Sequence, residues 1–385
     1  MWKRGNVECC QNVETKKGND LIIAKSLLAD VIIFLFLYFY PKNSMSIARA
    51  HTIARCMYST RILDGWRINE KQIEKTALRL SHIRSETGKV PGLAVLRFGY
   101  NADAERFIDR KKDIALTCGV NLQDIVFDAS CKTEEVQEKI RLLNQDKSIH
   151  GIVIKCPLPS TINQEAVLST ISPLKDVDGC SNTNEGRLLK LGENKRRASD
   201  LGKADDIHYF NMVNFPTSAL ATLCLIESYK LPLEKKKATV IGRSNNVGLP
   251  IALLLTHKDV TCQLSHGHND ITSDFLKDSD YVISAQGTPF KLKGDMLKSN
   301  CTVIDIGPTY ANTATSDEIF GSVDVDTCCN VAGNITPVPG GTGMLSTIML
   351  MENTMKTMVL QENILPLYEK MGGKLSYYQS LLNHC

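Results

Sequence analysis

Short apolar segments alternating with amphipathic ones predict an α/β protein built as two units. Three observations carry the prediction. Strand-like and helix-like segments alternate twice between residues 66 and 155, a stretch rich in Lys, Asp, Gly and Asn interrupts them over 190–212, and the alternation then resumes to residue 305. Repeats of this kind imply parallel strands joined by right-handed crossovers. A chain of 385 residues is long enough to bury two separate cores.

The elements follow in order. Trp66 to Arg84 carries Ile68, Ile73, Ala77 and Leu78 at helical spacing. Pro91-Gly92 introduces Leu93 to Phe98, an apolar run that reads as a buried strand. Ala104 to Cys118 reads as a helix, with Gly119 placed to stop it. Ile125 to Phe127 is a short strand. Thr133 is placed to cap the next helix, with Glu134 and Glu135 in its first turn. Gly151 to Lys155 is a further strand. After the interruption come a strand at Ala238–Ile241, a helix at Val247–Leu255, and strands at Val260–Cys262, Tyr281–Ser284 and Thr302–Asp305. That spacing makes a doubly wound sheet. Met344 to Gln361 is a long helix whose methionines at helical spacing are core packing.

Apolar residues make up 43% and charged residues 23% of the chain, the balance of an ordinary globular protein. A net charge of +3 without a concentrated basic tract argues against nucleic acid as a partner. The one dense cluster, Lys195-Arg196-Arg197, reads as a solvated loop, although with Ala198-Ser199 it resembles a basic kinase-substrate pattern. Thirteen cysteines are scattered without any C-x-x-C, and Cys9-Cys10 and Cys328-Cys329 are adjacent pairs. This predicts a reducing compartment, no disulfide and no metal site.

The first residues differ from the rest. Val31 to Tyr40 is an unbroken apolar run between Asp30 and Pro41, half the roughly 20 residues that span a bilayer, so no stable membrane insertion is expected. Met45 to Leu63 holds Arg49, Arg55 and Arg61 with no acid before Asp64, a composition that resembles a mitochondrial transit peptide. Residues 1–61 are therefore read as an N-terminal extension containing a transit peptide. The expected location is mitochondrial, with the cytoplasm as the alternative.

Gly242-Arg-Ser-Asn-Asn-Val-Gly248 follows an apolar strand and opens a helix. Glycine at both ends lets the backbone approach a pyrophosphate, which the helix N-terminus attracts. The next strand ends in Ser265-His266-Gly267-His268, with no carboxylate to bind ribose hydroxyls. Arg243, Ser244 and Ser265 suit a 2′-phosphate instead. The expected cofactor is NADP, with NAD as the alternative, and His266 and His268 read as solvent-facing loop residues.

Three segments in one order complete the pattern. Lys175-Asp-Val-Asp-Gly179 continues to Asn184 and Gly186, Gly242-Arg243-Ser244 continues to Val247-Gly248, and Thr336-Pro-Val-Pro-Gly-Gly-Thr-Gly343 follows. From about Leu63 to Leu360 the chain resembles the methylenetetrahydrofolate dehydrogenase/cyclohydrolase family. The resemblance implies a homodimer whose subunits have two domains. The first is an α/β catalytic domain binding tetrahydrofolate derivatives (62–212, with 340–385 packing back on it through the C-terminal helix). The second is a Rossmann-type domain over 213–339. It implies oxidation of 5,10-methylenetetrahydrofolate by hydride transfer, then hydrolysis of the methenyl product to 10-formyltetrahydrofolate. The catalytic lysine falls on Lys111 and the pterin-gripping carboxylate on Asp178. Pro339, Gly340 and Gly341 are expected to line the folate cleft through their backbone, and Thr336, with Gly242, Arg243, Ser244, Val247, Gly248 and Ser265, to face the cofactor.

The chain departs from the family where the chemistry lies. Phe107 stands at a tyrosine position four residues before Lys111, where both share a helix face. Lys155, in Lys155-Cys-Pro-Leu-Pro159, replaces a glutamine that contacts folate and the catalytic lysine. Ser322 replaces an aspartate, and Met344 a proline. Two nearby ammonium groups lower each other's pKa. The expectation is a dehydrogenase with weakened hydrolysis. The alternatives are an impaired paralogue that binds folate or dinucleotide as a regulatory subunit, and another NADP oxidoreductase on this scaffold.

Overall fold

The computed structural model describes residues 59–99, 102–156, 158–190, 214–266, 273–307, 309–310 and 319–370. The apolar run 31–40, most of the transit-like segment, the polar stretch beyond Lys190, the 195–199 cluster and His268 lie outside the described residues. Among the described residues, no helix is long and apolar enough to cross a membrane, and no cluster of His, Cys, Asp or Glu could hold a metal ion.

The first unit is a three-stranded parallel sheet in the order β3-β2-β4, from β2 (Gly92–Phe98), β3 (Asn121–Phe127) and β4 (Gly151–Ile154). Crossovers are made by α2 (Ala102–Cys118) and α3 (Thr133–Gln145), and α1 (Gly65–Thr87) precedes β2. Asp64 caps α1 by accepting from the Trp66 N–H, and Gly88 ends it at φ +68. Gly119 stops α2 at φ +78, as expected. The expectation for Thr133 needs correction. Lys132 holds the cap position and the Glu135 carboxylate accepts from its N–H, while the Thr133 hydroxyl accepts from the Asn163 N–H. That hydroxyl joins α3 to the start of α4 (Gln164–Thr170) instead of closing its own helix.

The second unit is a six-stranded, wholly parallel sheet in the order β1-β11-β8-β7-β5-β6. Its central strands are β5 (Lys237–Ile241), β7 (Tyr281–Ser284) and β8 (Thr302–Asp305), each almost wholly buried as parallel strands require. β6 (Thr261–Ser265) and β1 (Arg61–Ile62) form the edges, and β11 (Asn334–Ile335) lies beside β1; β9 (Thr309–Tyr310) and β10 (Ile319–Phe320) make a separate antiparallel pair. The chain therefore pairs with this sheet before it builds the first one. The register sets Ile241 opposite Ser265 and Ser284, and Ser284 opposite Asp305, so the strands' carboxyl ends form one edge.

Three helices join the units. α5 (Asn182–Leu189) and α6 (Thr217–Ser228) follow the first sheet, and α10 (Thr342–Gln361) returns to pack on α6, α1, α2 and β4. Between them lie α7 (Gly248–His257), α8 (Ser273–Lys277) and α9 (Val325–Cys328), and α11 (Leu365–Lys370) follows α10. Met349, Met351, Met355 and Met358 of α10 are buried, each contributing roughly 1.5–3 kcal/mol relative to exposure. Arg79 of α1 grips Glu352 of α10 with both terminal nitrogens (2.7 and 3.1 Å).

One cysteine overturns the expectation of no disulfide. Cys118, Cys156, Cys180 and Cys301 are free thiols, but Cys329 is disulfide-bonded. The Ser59 and Thr60 hydroxyls both donate to the Cys329 carbonyl, so the chain entering β1 runs alongside this residue. Cysteine spacing does not encode that long-range approach.

Candidate active site

The Lys175–Gly179 segment is a scaffold for one carboxylate. Lys175 is buried, and its Nζ donates to the Leu143 and Asp146 carbonyls (2.9 and 2.7 Å). Asp176 is buried too, accepting from the Cys180 and Ser181 N–H groups and from Asn184 Nδ2. Val177 fills the core. Gly179 has φ +67, and a Cβ there would lie 2.5 Å from the Asn214 carbonyl, so only glycine fits. With its neighbours so engaged, Asp178 is left directed into a cleft, where Thr217 Oγ1 of α6 donates to its Oδ1 at 2.6 Å.

The cleft is a cavity of about 250 Å³ lined from both units. Lys111 enters from α2, Lys155 and Cys156 from the end of β4, Thr217 from α6, and Val247 from the turn before α7. Lys111 Nζ approaches Thr347 Oγ1 of α10 at 3.4 Å. Burial lowers its pKa to about 8, Asp178 opposes that shift, and Lys155 adds to it. Burial also lowers the Lys155 pKa and raises those of Asp178 and the Cys156 thiol. Arg97 closes one wall with its guanidinium engaged by Asp124 (2.7 and 3.0 Å) and Glu105.

Across the cleft lies the glycine turn. Gly242 has φ +123 and donates its N–H to the Ser265 carbonyl at 2.9 Å. A Cβ on Gly248 would stand 1.9 Å from the Gly242 carbonyl oxygen, so the start of α7 presses directly on the turn. Arg243 and Ser244 are exposed, and Ser265, at the end of β6, is half-buried beside them. A backbone cradle with an exposed arginine and two hydroxyls, no carboxylate at the β6 end, and a helix N-terminus behind it fits a dinucleotide with a phosphorylated ribose. The Ser218 hydroxyl donates to the Asn246 carbonyl at 2.9 Å, tying this turn to the start of α6.

Lys111, Lys155, Asp178 and Val247 thus meet in one cavity, with Gly242, Arg243, Ser244, Gly248 and Ser265 forming the adjoining turn. Thr336, Pro339, Gly340 and Gly341 are not among the cavity's lining residues. Thr336 is buried and its hydroxyl accepts from the Asp305 N–H at 2.7 Å. The Gly340 carbonyl accepts from the Gly65 N–H at 2.7 Å, and a Cβ on Gly65 would lie 2.2 Å from the Gly341 carbonyl. This loop, with a cis Val338–Pro339 bond, holds the start of α1. Phe107 lies on α2 one turn before Lys111, and its side chain is outside the described residues. Ser322 is buried and donates to Asp305 at 2.8 Å. Sequence reasoning missed Thr217, Ser218, Asn246 and Cys156. Pro216-Thr217-Ser218 is a helix-opening sequence, the one signal that could have placed hydroxyls at the cleft.

Two α/β units facing each other across a lysine- and aspartate-lined cleft, one ending in a dinucleotide turn, define a two-domain nucleotide-dependent oxidoreductase. Comparison with known proteins narrows the class. Residues 63–178 match the tetrahydrofolate dehydrogenase/cyclohydrolase catalytic domain, and residues 216–362 match the NAD(P)-binding domain of the same family. The bifunctional protein FolD of Rhodospirillum rubrum is 34% identical over 298 residues, covering 77% of this chain and 96% of that protein. A crystal structure of the bifunctional FolD enzyme from Campylobacter jejuni superposes with a TM-score of 0.70 at 29% identity, covering 80% of this chain and all of that one. The Trypanosoma brucei enzyme, complexed with NADP cofactor and inhibitor, gives a TM-score of 0.70 at 27% identity, covering 80% and 99%. The chain belongs to the tetrahydrofolate dehydrogenase/cyclohydrolase family.

Proposed function

We propose that the chain oxidises 5,10-methylenetetrahydrofolate with NADP+ and hydrolyses the methenyl product to 10-formyltetrahydrofolate, the second step weakened by Phe107 and Lys155. The observation that carries this is the meeting of Asp178 and Lys111 in one cleft beside the Gly242–Gly248 turn. Asp178 binds the paired N–H donors of the pterin ring, a geometry that suits a carboxylate. When bound, the nicotinamide accepts the hydride leaving the one-carbon unit. Gly242, Arg243, Ser244, Val247, Gly248 and Ser265 hold the cofactor side, Thr336 supports it from below through the Asp305 N–H, and Pro339, Gly340 and Gly341 back the folate side. In the hydrolytic step Lys111 takes the proton of the attacking water at Nζ. A neutral amine is accessible there because burial lowers its pKa to about 8. Phe107 offers no hydroxyl to orient that amine, and Lys155 places a second ammonium beside it.

The domain division at 62–212 and 213–339, with 340–385 returning to the first unit and β1 lent to the sheet of the second, belongs to the same proposal, as do a homodimer and mitochondrial import directed by residues 45–63. Light scattering of the purified chain tests the first association, and a fluorescent fusion of residues 1–63 tests import. The Phe107 and Lys155 departures favour one second reading, a binding paralogue without turnover. Following methenyl and formyl products separately in the NADP+-dependent reaction decides between them. Methenyl accumulation is expected; folate binding with no turnover would leave the paralogue.

A further inference from the structure

We infer that Thr217 is a positioning residue for Asp178, fixing the carboxylate through its hydroxyl so that it meets the substrate ring in one orientation. The inference rests on the proposed role of Asp178 in gripping that ring. α6 opens with Pro216 at its cap position, which has no side-chain acceptor for the helix's unpaired N–H groups. The acceptor comes instead from 39 residues upstream: the Asp178 carboxylate accepts from the Thr217 N–H, and its Oδ1 also receives the Thr217 hydroxyl at 2.6 Å, the length of a charge-assisted O–H···O⁻ bond.

The surroundings over-determine this contact. Asn214 Nδ2 donates to the Asp176 carbonyl at 2.9 Å, on one side of the pair. Asn353 Nδ2 of α10 donates to both the Val177 and Phe215 carbonyls (2.7 and 3.1 Å), on the other. Gly179 is pressed against Asn214, Phe215 and Pro216 too closely for a Cβ. The loop carrying Asp178 and the start of α6 are therefore locked together, and the lock reaches the carboxylate through Thr217 twice, by its backbone N–H and by its hydroxyl, of which only the hydroxyl can be removed by substitution. The next residue, Ser218, holds the dinucleotide turn at Asn246, so adjacent hydroxyls on one helix start address the two ligand sites.

The charged and titratable groups facing Asp178 are Lys111 from α2, Lys155 and Cys156 beyond β4, and Asp176 and Cys180 in its own loop. Burial raises the Asp178 pKa, and the Thr217 bond and Lys111 oppose that. Without the hydroxyl the carboxylate protonates at higher pH, so the acid limb of folate binding must move upward.

The test is calorimetric titration of the full chain with 5-formyltetrahydrofolate, a stable folate probe, between pH 5 and 8, with NADP+ titrated separately. Thr217→Val keeps the volume and removes the hydroxyl; Thr217→Ala is a second hydroxyl-free variant, and melting curves check that each folds. Folate affinity is expected to fall roughly ten- to a hundred-fold, the equivalent of one lost hydrogen bond to a charged group. The acid limb is expected to shift to higher pH, NADP+ affinity to stay within about two-fold, and Thr217→Ser to restore both folate readouts. Unchanged affinity and acid limb in the hydroxyl-free variants, or no rescue by serine, overturns the inference. Asp178→Asn separates the two levels. If it abolishes folate binding while Thr217→Val does not, only the role of Thr217 fails; if it binds folate normally, the reading of Asp178 falls and takes the inference with it.

Discussion

Replacing Lys155 by glutamine should change two features of the hydrolytic step independently. Lys111 has its pKa lowered to about 8, so about one-tenth of it is neutral at pH 7, against roughly one part in 3,000 for a lysine at 10.5. Burial is the largest cause, and the Lys155 ammonium adds to it. In the unmodified chain, the hydrolysis rate of methenyltetrahydrofolate should rise about five-fold from pH 7 to 8, but less than about two-fold from pH 8 to 9. Lys155→Gln removes the like charge and moves the midpoint upward. A rise of only about 0.3 would halve the neutral amine at pH 7. The amide, however, can accept from the Lys111 ammonium or donate to its amine, so the plateau at high pH should increase. The assay follows loss of the methenyl absorbance in buffers from pH 6.5 to 9.5, with the buffer-catalysed rate subtracted. A ten-fold rise per pH unit continuing through pH 9 would show that Lys111 titrates as an ordinary lysine. An unmoved midpoint in Lys155→Gln would refute the electrostatic coupling.

Two further perturbations address the dinucleotide unit. Gly248→Ala places a Cβ 1.9 Å from the Gly242 carbonyl, a backbone atom that cannot yield without moving the turn. It should destabilise the chain by about 1–3 kcal/mol and weaken NADP+ at least ten-fold with folate binding retained, as melting curves and calorimetric titrations would record. Asp305 is buried, and burial raises its pKa from 3.8 to about 6. The folded state therefore binds this proton more tightly than the unfolded state, and the group's stabilisation, full below pH 4, is lost as pH rises through 6, about 3 kcal/mol in all. The stability difference between the unmodified chain and Asp305→Asn should narrow by about that amount from pH 4 to 7 in urea unfolding, and parallel curves would refute the assignment.

Much of the fold is legible because its signals are local. The central strands read as unbroken apolar runs, and Gly119 stops α2 where a left-handed residue is needed. Other elements left no local signal. α6 is apolar on every face from Ala219 to Ile226 because it is buried all round, so no helical period appears. β1 is two residues long and gains its place only by pairing with β11, 273 residues later in register.

The site was legible to a different degree. Within Lys175–Gly179 the sequence pattern presents two aspartates and a lysine as equals, and only packing separates them. Lys175 and Asp176 spend their hydrogen-bonding capacity on backbone groups and Asn184, which leaves Asp178 as the carboxylate free to turn toward the cleft. The loop 336–343 shows the converse. Its backbone packs so closely on α1 that position 65 must be glycine, since any Cβ there collides with the Gly341 carbonyl, while a Cβ on Gly341 would lie 2.8 Å from the Pro337 carbonyl of the loop itself, so a motif that reads as ligand-facing has a structural reason of its own. Hydride transfer depends on placement, which these backbone contacts supply. Proton transfer depends on the environment of one amine, and the substitutions at 107 and 155 fall there. A chain that keeps the first set and changes the second should therefore lose hydrolysis before it loses oxidation, whatever the absolute rates.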